Sequence, residues 1–490
     1  MGTSTTEYVN DLRKIPACLD KIIVSGLGRT DESVVKKQFH NLAKSNNLED
    51  LFTNIQEAKA RLVKLDVFRY VYAVVDISEK PGKYRVIFKV EEKRPITARL
   101  SLTHGTDNMS KAVGALRINN LLRGAEFADL DVEIGTNRLL SACATFSKPL
   151  ENNPFVRFSL GGTDGKFDHY WAKYLRQERS CFSEIRAQSN LGLHRFQWEA
   201  AWREIEAKDN STPWAVRKQC GSSLKIGLRH SFEVDQRPDL VFPDGGYLVK
   251  MTKELASITP GDLSGSKSSD APAQDRALQL KVEGIAQKPF RLSDWLVGEL
   301  TFSSGFAHSL TGHPVHIADR FFIGGPLELR GFQWHTVGPM EPLLQPGVSN
   351  APPSEDPISD DAPTNLSPVG SEAFWLSGAH LYTPLPYFGA VEDSFASHFR
   401  LHGFYVMGST MESPMTRLKN CFSTGTSMQS TGRKLFTELT DQSRAVLGAG
   451  LVVRFAGALR IEINYCIPVR SQPGDFTKPG FSFGLGMYYS

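Results

Sequence analysis

Two kinds of hydrophobic periodicity divide the chain near Arg94-Pro95. Before that point apolar residues recur at helical spacing between short β-rich runs. After it they alternate with polar residues in one short segment after another. In the first part, Ile22-Ile23-Val24 reads as a strand that stops at Gly26 and Gly28. A helix is predicted next, with Thr30 as its cap, Asp31 and Glu32 at the positive end of its dipole, and Val35, Phe39 and Leu42 on one face. Asn46-Asn47 ends it, and a second helix opens at Glu49-Asp50 with Leu51, Ile55, Ala58 and Leu62 on one side. Two strands at 70–77 and 84–90 follow, joined by the turn Lys80-Pro81-Gly82-Lys83. The predicted order is β-α-α-β-β.

From residue 96 onward the period is two. Leu130, Val132 and Ile134 alternate with Asp129, Asp131 and Glu133, and Leu459, Ile461, Ile463, Tyr465 and Ile467 alternate with Arg460, Glu462 and Asn464. A soluble sandwich alternates too, but the charge density on the polar face suits strands with lipid on one side and a hydrated interior on the other. Residues 96–490, at roughly 25 per strand with its connection, supply about 16 strands, a number typical of transmembrane barrels. Two stretches break the pattern, 258–275 with its Pro, Gly and Ser, and 333–370, whose 345–368 is rich in proline and acidic residues. Both read as loop insertions outside the bilayer, where water satisfies the backbone.

Composition removes several alternatives. The hydrophobic fraction is 41%, the mean hydropathy is −0.26, and no run of about 18 apolar residues occurs, so no helical span is expected. A net charge of +3 and a pI near 8.4 are too balanced for a nucleic-acid surface. Six cysteines are scattered, without a CxxC pair or histidines at ligand spacing, which argues against a zinc site or a disulfide framework. Neither metal nor cofactor is expected. Residues 1–16 read as a tail that lacks both the apolar core of a secretory signal and the Arg-rich amphipathic pattern of a transit peptide. Gly2 followed by Thr6 fits the loose myristoylation pattern, which is common by chance. Walker A, GxSxG and HExxH motifs are missing, so catalysis is not expected.

The most informative run is Arg320 through Phe332, RFFIGGPLELRGF, with Gly324-Gly325 ahead of Leu329-Arg330-Gly331-Phe332. It resembles the [V/I/L]-R-G-[F/Y] loop of the outer-membrane barrel-assembly family of bacterial surface antigen type, which folds back into the barrel lumen. The β-α-α-β-β order over 17–95 resembles the POTRA domain that precedes such barrels. Segments 373–386, 402–408 and 448–468 resemble the barrel subunits of the mitochondrial sorting and assembly machinery, and the likeness is vaguer over 96–310. Ser482, Gly484, Met487 and Tyr489 fit the polar-x-Gly-x-x-hydrophobic-x-hydrophobic β-signal of mitochondrial barrels. On this strand Phe481, Phe483, Leu485, Met487 and Tyr489 are expected to face lipid, and Gly484 and Gly486 the interior.

The resemblance implies a transmembrane β-barrel of about 16 antiparallel strands over 96–490, behind a POTRA domain over 17–95. It implies residence in the mitochondrial outer membrane with the N-terminal domain in the intermembrane space. The implied function is insertion of β-barrel precursors through a seam that opens between the first strand, 96–104, and the last, 481–489. Arg330 inside a lumen needs a carboxylate or an aromatic face, Gly331 gives a tight turn, and Phe332 supplies an anchor. Glu462, pointing inward on the penultimate strand, is the expected partner of Arg330, with Asn464 beside it. Implied partners are the outer-membrane lipid bilayer, β-barrel precursors, metaxin-like accessory subunits and small intermembrane-space chaperones, and no nucleic acid. The alternative is a polypeptide-translocating or passive β-barrel channel, although a passive pore has no need of the N-terminal module or the Arg330 loop.

Overall fold

The computed structural model describes residues 15–79, 82–104, 110–136, 139–150, 153–261, 276–344, 365–386, 394–417, 437, 440, 442–455 and 459–486. The N-terminal unit has β1 (Cys18–Ser25), α1 (Glu32–Lys36), α2 (Leu48–Lys64), β2 (Phe68–Ile77) and β3 (Lys83–Glu92). Its sheet order is β1-β3-β2, with β1 parallel and β2 antiparallel to β3. Val35, Phe39, Leu42, Leu51, Ile55 and Leu62 are buried against Val86 and Phe88 of the sheet, so the two predicted apolar helix faces are the packing faces. The unit is POTRA-like.

Two local expectations change. Asp31, not Thr30, caps the first helix, its side chain accepting from the Ser33 amide at 2.8 Å. Thr30 is engaged elsewhere, accepting from Asn120 Nδ2 at 2.9 Å. The helix itself is short, giving way to 3-10 turns at Lys37–Phe39 and Leu42–Lys44. The tighter winding accompanies the stacking of Phe39 on Phe88, with ring centroids 4.7 Å apart, and the burial of Leu42. Asn47 does more than break the helical run, because its side chain caps α2 through the Asp50 amide at 2.7 Å.

The rest of the described chain forms one antiparallel sheet of sixteen strands. These are β4 (Ile96–His104), β5 (Ser110–Asn119), β6 (Phe127–Gly135), β7 (Leu140–Leu150), β8 (Asn153–His169), β9 (Tyr174–Gln188) and β10 (Leu193–Ala207). After a short helix α3 (Trp214–Arg217) come β11 (Gly221–Asp235), β12 (Leu248–Gly261), β13 (Ala277–Ser293) and β14 (Leu296–Ser309). A small separate pair, β15 (Met340–Pro342) and β16 (Leu366–Pro368), precedes β17 (Ala373–Pro384), β18 (Phe399–Met411), β19 (Arg444–Phe455), β20 (Leu459–Arg470) and β21 (Gly480–Gly486). Neighbours in sequence are neighbours in the sheet, with β14 pairing directly to β17. The edge strands β4 and β21 come within 8 Å of each other at their Cα atoms, so the sheet curls round on itself. No ladder joins these two strands among the described residues.

Alternation has the predicted sense. On β20, Ile463, Tyr465 and Ile467 are 43–51% exposed, whereas Arg460, Glu462 and Asn464 are at most 5% exposed. Among the described residues no helix is long and apolar enough to cross a membrane. The two expected insertions are smaller than their sequence suggested. Ile258 through Gly261 continue β12 and pair with Lys225 through Ser222, because Ile258 keeps the alternation and is buried. The stems of 333–370 are structured as β15 and β16, and 262–275 and 345–364 lie outside the described residues.

The N-terminal unit docks on the first strands of the sheet. Ala125, in the β5–β6 connection, is buried in the hydrophobic core of that unit. Asn120, Arg123 and Ala125 there hold φ values of 56°, 66° and 64°, left-handed geometry that side chains adopt only when the surroundings impose it. Asp31 N–H donates to Arg123 O at 3.0 Å, and Arg157 Nη2 donates to Leu65 O at 3.1 Å.

Glu92 at the end of β3 accepts from the amides of Gly28, Arg29 and Thr30 at 3.1, 2.9 and 2.9 Å. Burial pushes this carboxyl up, but the Thr30 hydroxyl and the three amides outweigh it and hold it below the ordinary glutamate value. The clasp therefore stabilises the fold above the unfolded carboxyl's value of about 4.3 and loses its contribution as pH falls through the lower folded value. Amide hydrogen exchange in the full-length protein checks this. Glu92→Gln should lower the protection of the Gly28, Arg29 and Thr30 amides at neutral pH, by about 1 kcal/mol; unchanged protection would contradict the clasp.

Candidate functional site

The connection from β14 to β17 enters the lumen and is sewn to the wall next to the seam. Gly324 and Gly325 open its turn with φ values of 112° and 117°. A Cβ on Gly324 would lie 2.6 Å from Gln333 O and one on Gly325 would lie 2.5 Å from the Trp334 ring, so glycine is required at both for shape as well as dihedral. Leu329 and Phe332 are buried with Ile323, Val337, Leu376, Phe404, Val406, Val446 and Cys466, which joins the loop to β17, β18, β19 and β20. The backbone reaches further. Lys478 N–H donates to Gly331 O at 2.7 Å, and Gln333 N–H donates to Phe476 O at 3.0 Å, so the loop is bonded to the connection leading into β21.

Arg330 is 3% exposed and lies inside this wall. Its Nη2 and Nε donate to Glu462 Oε2 at 2.9 and 3.2 Å, and its guanidinium sits 4.9 Å from the centroid of Phe404. The structure thus brings together Arg330 and its expected partner, with an aromatic face as well. Glu462 is fully buried and holds a second cation: Arg460 Nε and Nη2 donate to Oε1 at 3.0 and 2.8 Å. Arg460 Nη2 also donates to the Tyr382 hydroxyl at 2.8 Å. Asn464 Nδ2 donates to Glu462 Oε2 at 2.8 Å. Because an amide oxygen only accepts, His402 Nδ1–H donates to Asn464 Oδ1 at 3.1 Å, leaving His402 Nε2 to accept from His380 at 3.0 Å.

Arg460, Tyr382, His402 and His380 were not singled out from the sequence as members of this site. Arg460 had a usable signal: it stands two residues before Glu462 and therefore on the same strand face. The others come from β17 and β18 and are linked to Glu462 through Arg460 and Asn464. Both oxygens of Glu462 are occupied by charge-assisted donors, the condition under which a buried carboxylate is tolerated. Among the described residues no group of three His, Cys, Asp or Glu side chains is placed to hold a metal ion.

Of the C-terminal signal residues, Ser482 and Gly484 lie on β21 opposite Asn464 and Glu462, while Met487 and Tyr489 fall outside the described residues. Phe481 is 76% exposed and meets the Tyr465 ring edge-on at 5.2 Å, on the outer face. Gly484 has a specific neighbour, since a Cβ there would lie 2.9 Å from Leu327 Cδ2 of the lumen loop. Its bare backbone lets the loop tip approach the last strand.

Removing one partner from a buried ion pair costs roughly 3–5 kcal/mol because a charge is left unpaired. Glu462→Gln should therefore lower the thermal unfolding midpoint in detergent more than Arg330→Ala, since it takes the buried carboxylate from two guanidiniums whereas the latter leaves Glu462 with Arg460 and Asn464. Equal destabilisation by the two variants would show that Arg460 is not held by Glu462.

A sequence model described as the Omp85 superfamily domain matches residues 120–488. The Sorting and assembly machinery component 50 homolog of Bos taurus is 31% identical over 475 residues, covering 95% of this chain and 88% of that protein. The SAM50-like protein of Drosophila melanogaster is 29% identical over 503 residues, covering 99% of this chain and 98% of that protein. Among solved structures, BamA from Haemophilus ducreyi lacking POTRA domains 1–3 is similar in fold, with a TM-score of 0.71 at 14% identity, covering 96% of this chain and 85% of that one. Likeness of this extent, running through the POTRA-like unit, the lumen loop and the seam strands alike, shows that the chain belongs to the Omp85 superfamily, among the sorting and assembly machinery component 50 homologues.

Proposed function

We propose that this protein inserts and assembles β-barrel precursors in the mitochondrial outer membrane, acting as a strand template without covalent chemistry. The observation that carries the reading is the pair of adjacent edges, β4 and β21, with no ladder between them among the described residues. In hydrocarbon each unsatisfied backbone group costs several kcal/mol, so a nascent strand cannot enter alone. A barrel whose join opens sideways presents a row of free N–H and C=O groups to which a client's C-terminal strand adds by β-augmentation. Later client strands follow until the new barrel closes and leaves.

The other parts support this template. Bonds from Gly331 and Gln333 to the connection before β21, together with the Arg330–Glu462 pair on β20, keep that side of the seam in shape when β4 moves away. The POTRA-like unit packs under the first strands, and among the described residues no strand pairs with the outer edge of β2, a second place where an extended client can lie. In this reading the unit faces the intermembrane space, where small chaperones deliver clients, and metaxin-like accessory subunits cover the cytosolic side. A lumen occupied by the β14–β17 loop suits an assembly factor better than a passive channel.

A disulfide between cysteines introduced at facing positions of β4 and β21 tests the seam directly. In isolated mitochondria the oxidised variant should stop assembling imported barrel precursors and recover when reductant is added, with import of other precursors unchanged. Assembly at the wild-type rate through a verified staple would contradict the proposal.

A further inference from the structure

The lumen loop has a second buried ionic contact, at its other end and on the other side of the barrel. Asp319 closes the 3-10 turn Ile317–Asp319, eleven residues before Arg330, and is 5% exposed. Its Oδ1 accepts from Lys225 Nζ at 2.7 Å and from Arg203 Nη1 at 3.1 Å, and its Oδ2 accepts from the same Arg203 nitrogen at 3.0 Å. Both cations point inward from neighbouring strands, β10 and β11. They are themselves held, Arg203 Nε by Glu178 of β9 at 3.0 Å and Lys225 by Glu254 of β12, which also receives Arg229. Asp319 is the member of this cluster that does not come from a strand.

The surrounding contacts pin the same point. Ile317 is fully buried with Tyr174, Ile205, Val216 and Val369, and its N–H donates to Gln219 Oε1 at 2.8 Å. In the sheet order β10 and β11 stand near the middle, at least six strands from either edge, and so face the seam from across the lumen. One end of the loop is therefore tied to the wall farthest from the join, and the other, through Arg330, to β20 beside it. A segment fastened at both ends across a cylinder is a strut. It resists change in the distance between the two walls it connects.

We propose that Asp319 is the fixed anchor of this strut, a positioning residue that holds Arg330 against β20 so that opening of the seam falls on the β4 side. The proposal rests on the insertase reading given above. It differs from a purely structural role because Asp319 and Arg330 then act through one element, and their losses do not add.

The test measures assembly rates of an imported barrel precursor in mitochondria carrying Asp319→Asn, Arg330→Ala or both, alongside the heat-modifiable gel mobility of the variant itself. The expected result is that Asp319→Asn slows assembly to the extent that Arg330→Ala does, that the double variant is no slower than Arg330→Ala, and that Asp319→Glu recovers most of the rate, all with a folded barrel. Should Asp319→Asn fail to accumulate, Lys225→Met, which removes half of the anchor, takes its place in the same comparison. A normal rate for Asp319→Asn beside a slow Arg330→Ala overturns the anchor and leaves the insertase reading intact. Multiplicative slowing in the double variant also overturns it. Normal rates for every variant overturn the strut together with the role given to Arg330.

Discussion

In a hydrocarbon layer the backbone has no water to bond, and every N–H and C=O must find a partner within the protein. For a sheet this means closure, because each open edge is a row of orphan groups. The sixteen-strand sheet meets that demand along fifteen strand pairs and falls short at one, where β4 and β21 approach without a ladder among the described residues. In the function proposed here, what would be a defect in a passive barrel is a usable surface.

A seam of this kind needs its neighbours to be rigid, and the interior supplies the rigidity by ionic contacts. Glu462 collects Arg330, Arg460 and Asn464 around one carboxylate, and Asp319 collects Arg203 and Lys225 around another. Both carboxylates are buried, so neither is tolerable without its cations. The lumen loop carries one member of each set. Its shape depends in turn on glycines: Gly324 and Gly325 for the turn, Gly331 for the close approach to Val446 and Cys466, and Gly484 on the strand it leans toward.

Much of this was legible in the order of residues. Strand alternation on β20 placed Glu462 and Asn464 inside, and the Arg-Gly-Phe run marked the loop, so the Arg330–Glu462 contact followed from one face assignment and one motif. The four apolar positions of α2 and the three of the segment before it identified the core of the N-terminal unit. What stayed hidden depends on contacts distant in sequence. Thr30 looked like a cap because it precedes acidic residues, but a partner ninety residues away, Asn120, takes its hydroxyl and Asp31 does the capping. Asp319 lies just ahead of the motif run that starts at Arg320 and carries no signal of its own in the sequence, and only the register of β10 against β11 shows the two cations that meet it. Proline and glycine at 260 and 261 suggested a loop, yet pairing along β11 carries β12 through them.

If the proposed template works at the seam, the join between the first and last strands is weaker than every other join in the sheet. Backbone amide hydrogen exchange of the full-length protein in lipid nanodiscs measures that property strand by strand. Amides of β4 and β21 pointing toward the join should exchange orders of magnitude faster than those shared between interior strands such as β9 and β10. Protection at the join equal to that of the interior ladders would contradict it.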